Sequence, residues 1–175
     1  VVPGTTTGGD VLALLAANNI CADLLVAGAQ FNVTNPEAGT LSGGGNVCLS
    51  GDAVTLTATA DGNSNTPDGY SLAYVLTSGA ELTIQQLGAA PSFEVTSGGL
   101  YTIHTFVFPS SLDLSVVEPG VTTGVDVLNL LAANNICASL DVAGAAFNVT
   151  NPDAGTLSGG GNVCLSGDPV TLTAT

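Results

Sequence analysis

The chain has 175 residues, 45 % of them apolar, enough to bury one or two ordinary cores. It carries no Lys or Arg against 14 Asp and Glu, a formal charge of −14 at neutral pH. Recognition of phosphate backbones or anionic lipid headgroups through cationic side chains is thereby excluded, and every carboxylate must find water, backbone N–H groups, hydroxyls or metal ions instead.

Residues 1–59 return at 117–175 with differences at nine of the 59 aligned positions, so the chain reads as one and a half copies of a single unit. Asn35-Pro36-Glu37-Ala38-Gly39 and Asn151-Pro152-Asp153-Ala154-Gly155 mark the linkers, since a residue before Pro is held extended and Gly frees the backbone after it. The expected organisation is the C-terminal part of a preceding repeat (1–36), one complete repeat (37–152) and the N-terminal part of a following repeat (153–175), cut from a longer array. Differences between the copies report exposure: Leu25/Asp141 and Ala13/Asn129 are expected to face solvent, and Ala53/Pro169 marks an amide that no strand ladder needs.

Along the chain, residues 7–19 predict a short helix, as does their second copy. There Val127, Leu130 and Leu131 fall at i, i+3 and i+4, Thr123 and Asp126 form a capping box, and Asn134-Asn135 ends the helix. Each helix is expected to cover an open end or edge of a sandwich. Gly43-Gly44-Gly45 and Gly159-Gly160-Gly161 lack the Lys and helix of a phosphate loop and read as flexible loop. Val54, Leu56 and Ala58 alternate with Thr55, Thr57 and Thr59, which predicts a strand with one apolar and one hydroxylated face. Further strands are predicted over 70–77, 81–86, 92–96, 100–108 and 140–149, most of them separated by Gly-containing turns. Gly99-Leu100-Tyr101-Thr102-Ile103 has the form of a tyrosine corner, and the fold class is all-β: tandem immunoglobulin-like β-sandwich repeats with one short helix each.

Little in the chain points to chemistry. His104 is the sole imidazole and sits on the strand face opposite Tyr101 and Ile103, where it reads as structural; no carboxylate pair is marked out, and no enzyme is expected. No cofactor is expected either, calcium being the one candidate ligand: Asp61, Asn63, Asn65 and Asp68 offer hard oxygens in one loop, though Thr66 and Leu72 stand where an EF-hand places Gly and Glu. Asn32-Val33-Thr34 and Asn148-Val149-Thr150 match glycosylation sequons. Four cysteines occupy two equivalent pairs of positions, without the spacing of a zinc site. Two disulfide frameworks are open: Cys48 with Cys137 inside the repeat, leaving Cys21 and Cys164 to neighbouring repeats, or Cys21–Cys48 and Cys137–Cys164 across the linkers.

The stretch Gly98-Gly-Leu-Tyr-Thr-Ile-His-Thr-Phe-Val107, with Leu112-Asp-Leu-Ser-Val116 and Thr122-Thr-Gly-Val-Asp-Val127, resembles repeats in very large secreted surface proteins of Bacteroidota, among them gliding and attachment adhesins exported by the type IX system. The resemblance spans essentially the whole unit. It implies an extracellular, cell-surface array of immunoglobulin-like modules anchored at one end, whose partners are neighbouring repeats and, through a distal domain, surface glycans. The expected function is a structural and adhesive stalk or fibre. The alternative is a filament of short subunits in which a strand of one chain completes the sandwich of the next.

Overall fold

The structure is a computed structural model. It describes every residue except Asp23, Leu25, Val26, Ala27, Gln30, Leu165, Ser166 and Asp168. The expectation for Leu25 thus lies outside the described residues. The chain divides into two units, Val1–Thr34 and Asn35–Thr175.

The first unit is built around helix α1 (Gly8–Ala17). Thr7 caps it: the Asp10 amide donates to Thr7 Oγ1 at 3.2 Å, and the Thr7 amide donates to Asp10 Oδ2 at 2.8 Å. At its other end Asn19 takes a left-handed φ of 49°, and the Ile20 amide reaches back to the Leu15 carbonyl, which closes the last turn. The helix buries none of its own residues. Phe31 and Val33 beyond it are 88 % and 89 % exposed.

The second unit holds strands β1 (Leu41–Gly43), β2 (Gly45–Cys48), β3 (Val54–Ala60), β4 (Tyr70–Ser78), β5 (Thr83–Gly88), β6 (Ser92–Val95) and β7 (Gly99–Pro109). A 3₁₀ turn (Leu114–Val116), helix α2 (Gly124–Ala133) and strands β8 (Ser139–Leu140) and β9 (Ala145–Thr150) follow. Two open sheets form. The smaller is antiparallel in the order β1-β3-β6, and the larger runs β2-β9-β7-β4-β5 with β8 also on β7. Among the described residues only β2 and β9 run parallel, from Gly45 opposite Phe147 to Cys48 opposite Thr150. The architecture is sheet-rich and consistent with a β-sandwich.

Alternation explains the packing. Leu56 and Ala58 of β3 are buried while Thr55, Thr57 and Thr59 are exposed, so the apolar face of the small sheet closes on Leu76, Tyr101, Ile103, Phe147 and Val149 of the large one. Strand β7 is central and apolar on both faces. Its second face, with Phe106 and Phe108 stacked at 4.8 Å, joins Val75, Ile84 and Leu131 in a separate cluster. Helix α2 therefore lies over the open face of the large sheet, where an end or edge position was expected, because Val127 and Leu131 need the apolar surface that β4, β5 and β7 present there. The segment before α2 does cover an edge: Ile84 donates to the Thr122 carbonyl, Gly124 to that of Leu82 and Gly120 to that of Ile84, which pairs the start of the β5 rim.

Three local expectations change. Residues 140–149 are two strands, since Asp141–Gly144 turn between β8 and β9. The strand expected over 81–86 starts later, because Leu82 takes φ 52° in the preceding turn. Gly43-Gly44-Gly45 is a corner and not a flexible loop: all three have positive φ, and Gly44 passes so close to the Ala146 carbonyl that a Cβ would strike it. The glycines carry the chain from the small sheet into the large one. Ala53 precedes the ladder, which opens at Val54 opposite Val95, so Pro169 at the equivalent position costs no strand hydrogen bond.

Candidate functional site

The polar centre of the large sheet is His104. It is 3 % exposed on β7, on the face of Phe106 and away from Tyr101 and Ile103. Its Nδ1 lies 2.9 Å from the Asp141 carbonyl, which can only accept, so Nδ1 carries the proton. Nε2 then accepts from Thr77 Oγ1, also at 2.9 Å. Burial holds the imidazole pKa below its usual value, opposed by the Asp141 carbonyl and carboxylate and the Val142 backbone. Above the ring lies a cavity of about 140 Å³ between the sheet and α2, lined by Val75, Ile84, Leu128 and Leu140 among others. Both ring nitrogens are engaged and the walls are apolar, so the arrangement suits packing.

Asp141 connects this centre to the small sheet. Its carboxylate accepts from the Leu41 amide on one side and the Gly144 amide on the other, both at 3.3 Å. The residue is half-buried, which corrects the solvent-facing expectation; Ala13 and Asn129 are exposed as expected. Gly144 has φ 56°, and a Cβ there would collide with the Ile103 carbonyl and His104 Nδ1, whereas its counterpart Gly28 has nothing within 4 Å. The Leu25/Asp141 difference was the one sequence signal for this network, and it marked an aspartate with a tertiary role.

Carboxylates elsewhere act as caps, as a chain without cations requires. Thr123 and Asp126 form the capping box of α2, and Asp126 has a lowered pKa through the Thr123 hydroxyl and then its amide. Asp10 repeats this with Thr7, and Asp113 is lowered by the Ser115 amide and hydroxyl. At the C-terminus of α2 the Ile136 amide reaches the Leu131 carbonyl and Asn135 takes φ 49°.

The loop considered for calcium is stitched to residues 35–40. Asp61 accepts from the Asn63 amide at 2.8 Å, the Thr40 hydroxyl at 2.8 Å and the Thr40 amide at 3.0 Å, and these bonds, the Asn63 amide foremost, lower its pKa. Asn65 exchanges backbone hydrogen bonds with Glu37 and donates its side-chain amide to the Asn35 carbonyl at 2.6 Å. The structure thus brings Asp61 to Asn63 and sends Asn65 to the 35–37 strip, while Asp68 is exposed. Among the described residues no group of three His, Cys, Asp or Glu is placed to hold a metal ion. Cys21, Cys48, Cys137 and Cys164 are all exposed and no disulfide joins them among the described residues. Asn148 of the second sequon is exposed on β9, its side chain 3.2 Å from Asn46 Oδ1.

Among the described residues no helix is long and apolar enough to cross a membrane. No curated protein matches the chain, and no solved structure matches it. A family model described as a divergent InlB B-repeat domain, a bacterial surface repeat, matches residues 29–74, the stretch that contains β1, β2, β3 and the start of β4. Over that stretch the chain is similar to a repeat of bacterial surface proteins, and the similarity points to an extracellular repeat.

Proposed function

We propose that the chain is a structural and adhesive repeat from the long stalk of a large secreted adhesin of the gliding or attachment type, without enzymatic activity. The observation that carries this reading is the similarity of 29–74 to a bacterial surface repeat in a chain that repeats 1–59 at 117–175. An immunoglobulin-like sandwich, with 37–152 as its unit, is supported by the strand order. With β1, β3 and β6 as A, B and E, the other sheet reads G-F-C-C′ through β9, β7, β4 and β5. Tyr101 adds support, because its hydroxyl donates to the Ser97 carbonyl at 3.2 Å, as in a tyrosine corner.

The mechanism is mechanical. Tandem sandwiches extend a distal, glycan-binding domain away from a bacterial cell of the Bacteroidota type, and uniform negative charge keeps neighbouring fibres apart. Calcium at the Asp61 loop would stiffen the unit further, and calcium titration of the melting temperature tests the ion; a Cys48–Cys137 bridge is ruled out by the register, which carries Cys48 on β2 to the Gly99 end of β7 and Cys137 before β8 to its Pro109 end. The stalk reading is tested by the size of the native protein, denatured and reduced. A species many times 17.1 kDa is expected, and one near 17.1 kDa would overturn it.

A further inference from the structure

The cavity above His104 is built entirely from residues between 75 and 142, inside the complete repeat. Helix α2 is fastened on both sides of it. On one side the Gly124 amide donates to the Leu82 carbonyl at 3.0 Å, and a Cβ on Gly124 would stand 3.4 Å from that of Leu82. On the other, Leu131 is buried in the cluster of Val75, Ile84 and Phe106. These anchors frame a space of about 140 Å³ that neither of them fills. Among the described residues around it, only apolar atoms face the space. Thr77 and His104 beneath are each 3 % exposed and bond to one another at 2.9 Å, while Nδ1 is spent on the Asp141 carbonyl. A buried water needs about two to four polar partners, so the cavity favours an apolar occupant over water. Val125, Leu128 and Val142 are 59 %, 43 % and 53 % exposed, and they form a mouth between the start of α2 and the turn after β8.

We propose that this cavity is a binding site for an uncharged apolar molecule of about the size of a benzene ring. Size sets the upper limit: a dry cavity of about 150 Å³ walled by aliphatic and aromatic side chains holds one benzene. Polarity sets the class, because Thr77 and His104 have already spent their polar atoms on protein partners. Charge narrows it further. The chain has no Lys or Arg to hold a carboxylate or phosphate, and Glu81 and Asp126, both exposed, adjoin the wall residues Leu82 and Val125, so an anionic amphiphile is repelled. The repeat also marks a residue that tunes the site. Leu128, Leu140 and Val142 return in the first copy as Leu12, Leu24 and Val26, whereas Val125 returns as Gly9. Val125 narrows the mouth and thereby sets the width of ligand that this repeat admits. The inference concerns one repeat and does not depend on the stalk reading, so the size of the native protein has no bearing on it.

The test titrates the full chain with benzene and follows its methyl NMR spectrum. Saturable shifts are expected at Val75, Ile84, Leu128 and Leu140, while Leu56, Ile103 and Val149 of the other core stay in place. The melting temperature should rise over the same concentrations, since the ligand binds the folded chain alone. Benzoate, of nearly the same shape but charged, is expected to leave these methyls unmoved. Shifts that do not saturate below the solubility limit of benzene, shifts spread equally over both cores, or an equal response to benzoate overturn the proposal. Leu128→Asp places a carboxylate at the half-exposed mouth and is expected to weaken benzene binding about tenfold or more. A Leu128→Asp chain whose other core gives the parent spectrum and which binds benzene as tightly as the parent also overturns it. Val125→Gly, which copies Gly9, is expected to raise the affinity for naphthalene relative to benzene several-fold, and an unchanged ratio refutes the part assigned to Val125.

Discussion

Leu56 and Leu172 occupy the same sequence, Val-Thr-Leu-Thr-Ala-Thr, and differ only in what covers them. Leu56 is 1 % exposed between the sheets, and Leu172 is 78 % exposed. Truncating Leu56 to Ala removes three buried carbons, about 2.4 kcal/mol of transfer free energy at ~0.8 kcal/mol each. A partly relaxed void of roughly 40 Å³ adds about 1 kcal/mol. The expected loss is therefore about 3 kcal/mol, near 1.5 M in the urea midpoint for a slope of about 2 kcal/mol/M. Leu172→Ala, made in the same chain and measured at low protein concentration, is expected to stay within about 0.5 kcal/mol of the parent. Equilibrium urea unfolding followed by tyrosine fluorescence reads both. Equal losses at the two sites, or a larger loss at Leu172, would refute the assignment of 37–59 as the segment that closes the core.

Gly44→Ala is expected to cost about 2–4 kcal/mol, since it meets both the left-handed backbone and the Ala146 carbonyl, whereas Gly160→Ala has open space around it and leaves the urea midpoint nearly unchanged. Thr123→Ala removes the cap of α2 and is expected to cost about 1 kcal/mol, read by the same unfolding curve, with Thr123→Ser recovering most of it. Thr105 Oγ1 is buried without a hydrogen-bond partner among the described residues, so Thr105→Val should raise stability by about 1 kcal/mol; a loss would mean that the hydroxyl is satisfied in solution. The folded state depresses the His104 pKa, so the unfolded chain takes the proton first on acidification. Stability should fall as pH drops below about 6.5 and level off beneath the folded value, and His104→Asn should abolish that slope while leaving the carboxylate-linked loss below about pH 4. Parallel slopes in the two chains between about pH 7.5 and 5 would remove His104 from the pH response.

Features that depend on near neighbours were legible in the sequence. The capping boxes at Thr7 and Thr123 need only a hydroxyl and a carboxylate three residues apart, and the alternation from Val54 to Thr59 needs only the two-residue period of a strand. The face to which His104 belongs followed from the same period, and the absence of cations foretold that Asp10, Asp61 and Asp126 would bond to amides and hydroxyls. The glycine corner at 43–45, the partners of Asp141 and the face that α2 covers were not legible, because each depends on strands distant in sequence: β9 beside Gly44, β1 beside Asp141, and β4, β5 and β7 beneath the helix. The two leucines state the division most directly. Local pattern decides which face of a strand is apolar; whether that face is buried depends on a partner sheet, which covers Leu56 and leaves Leu172 exposed.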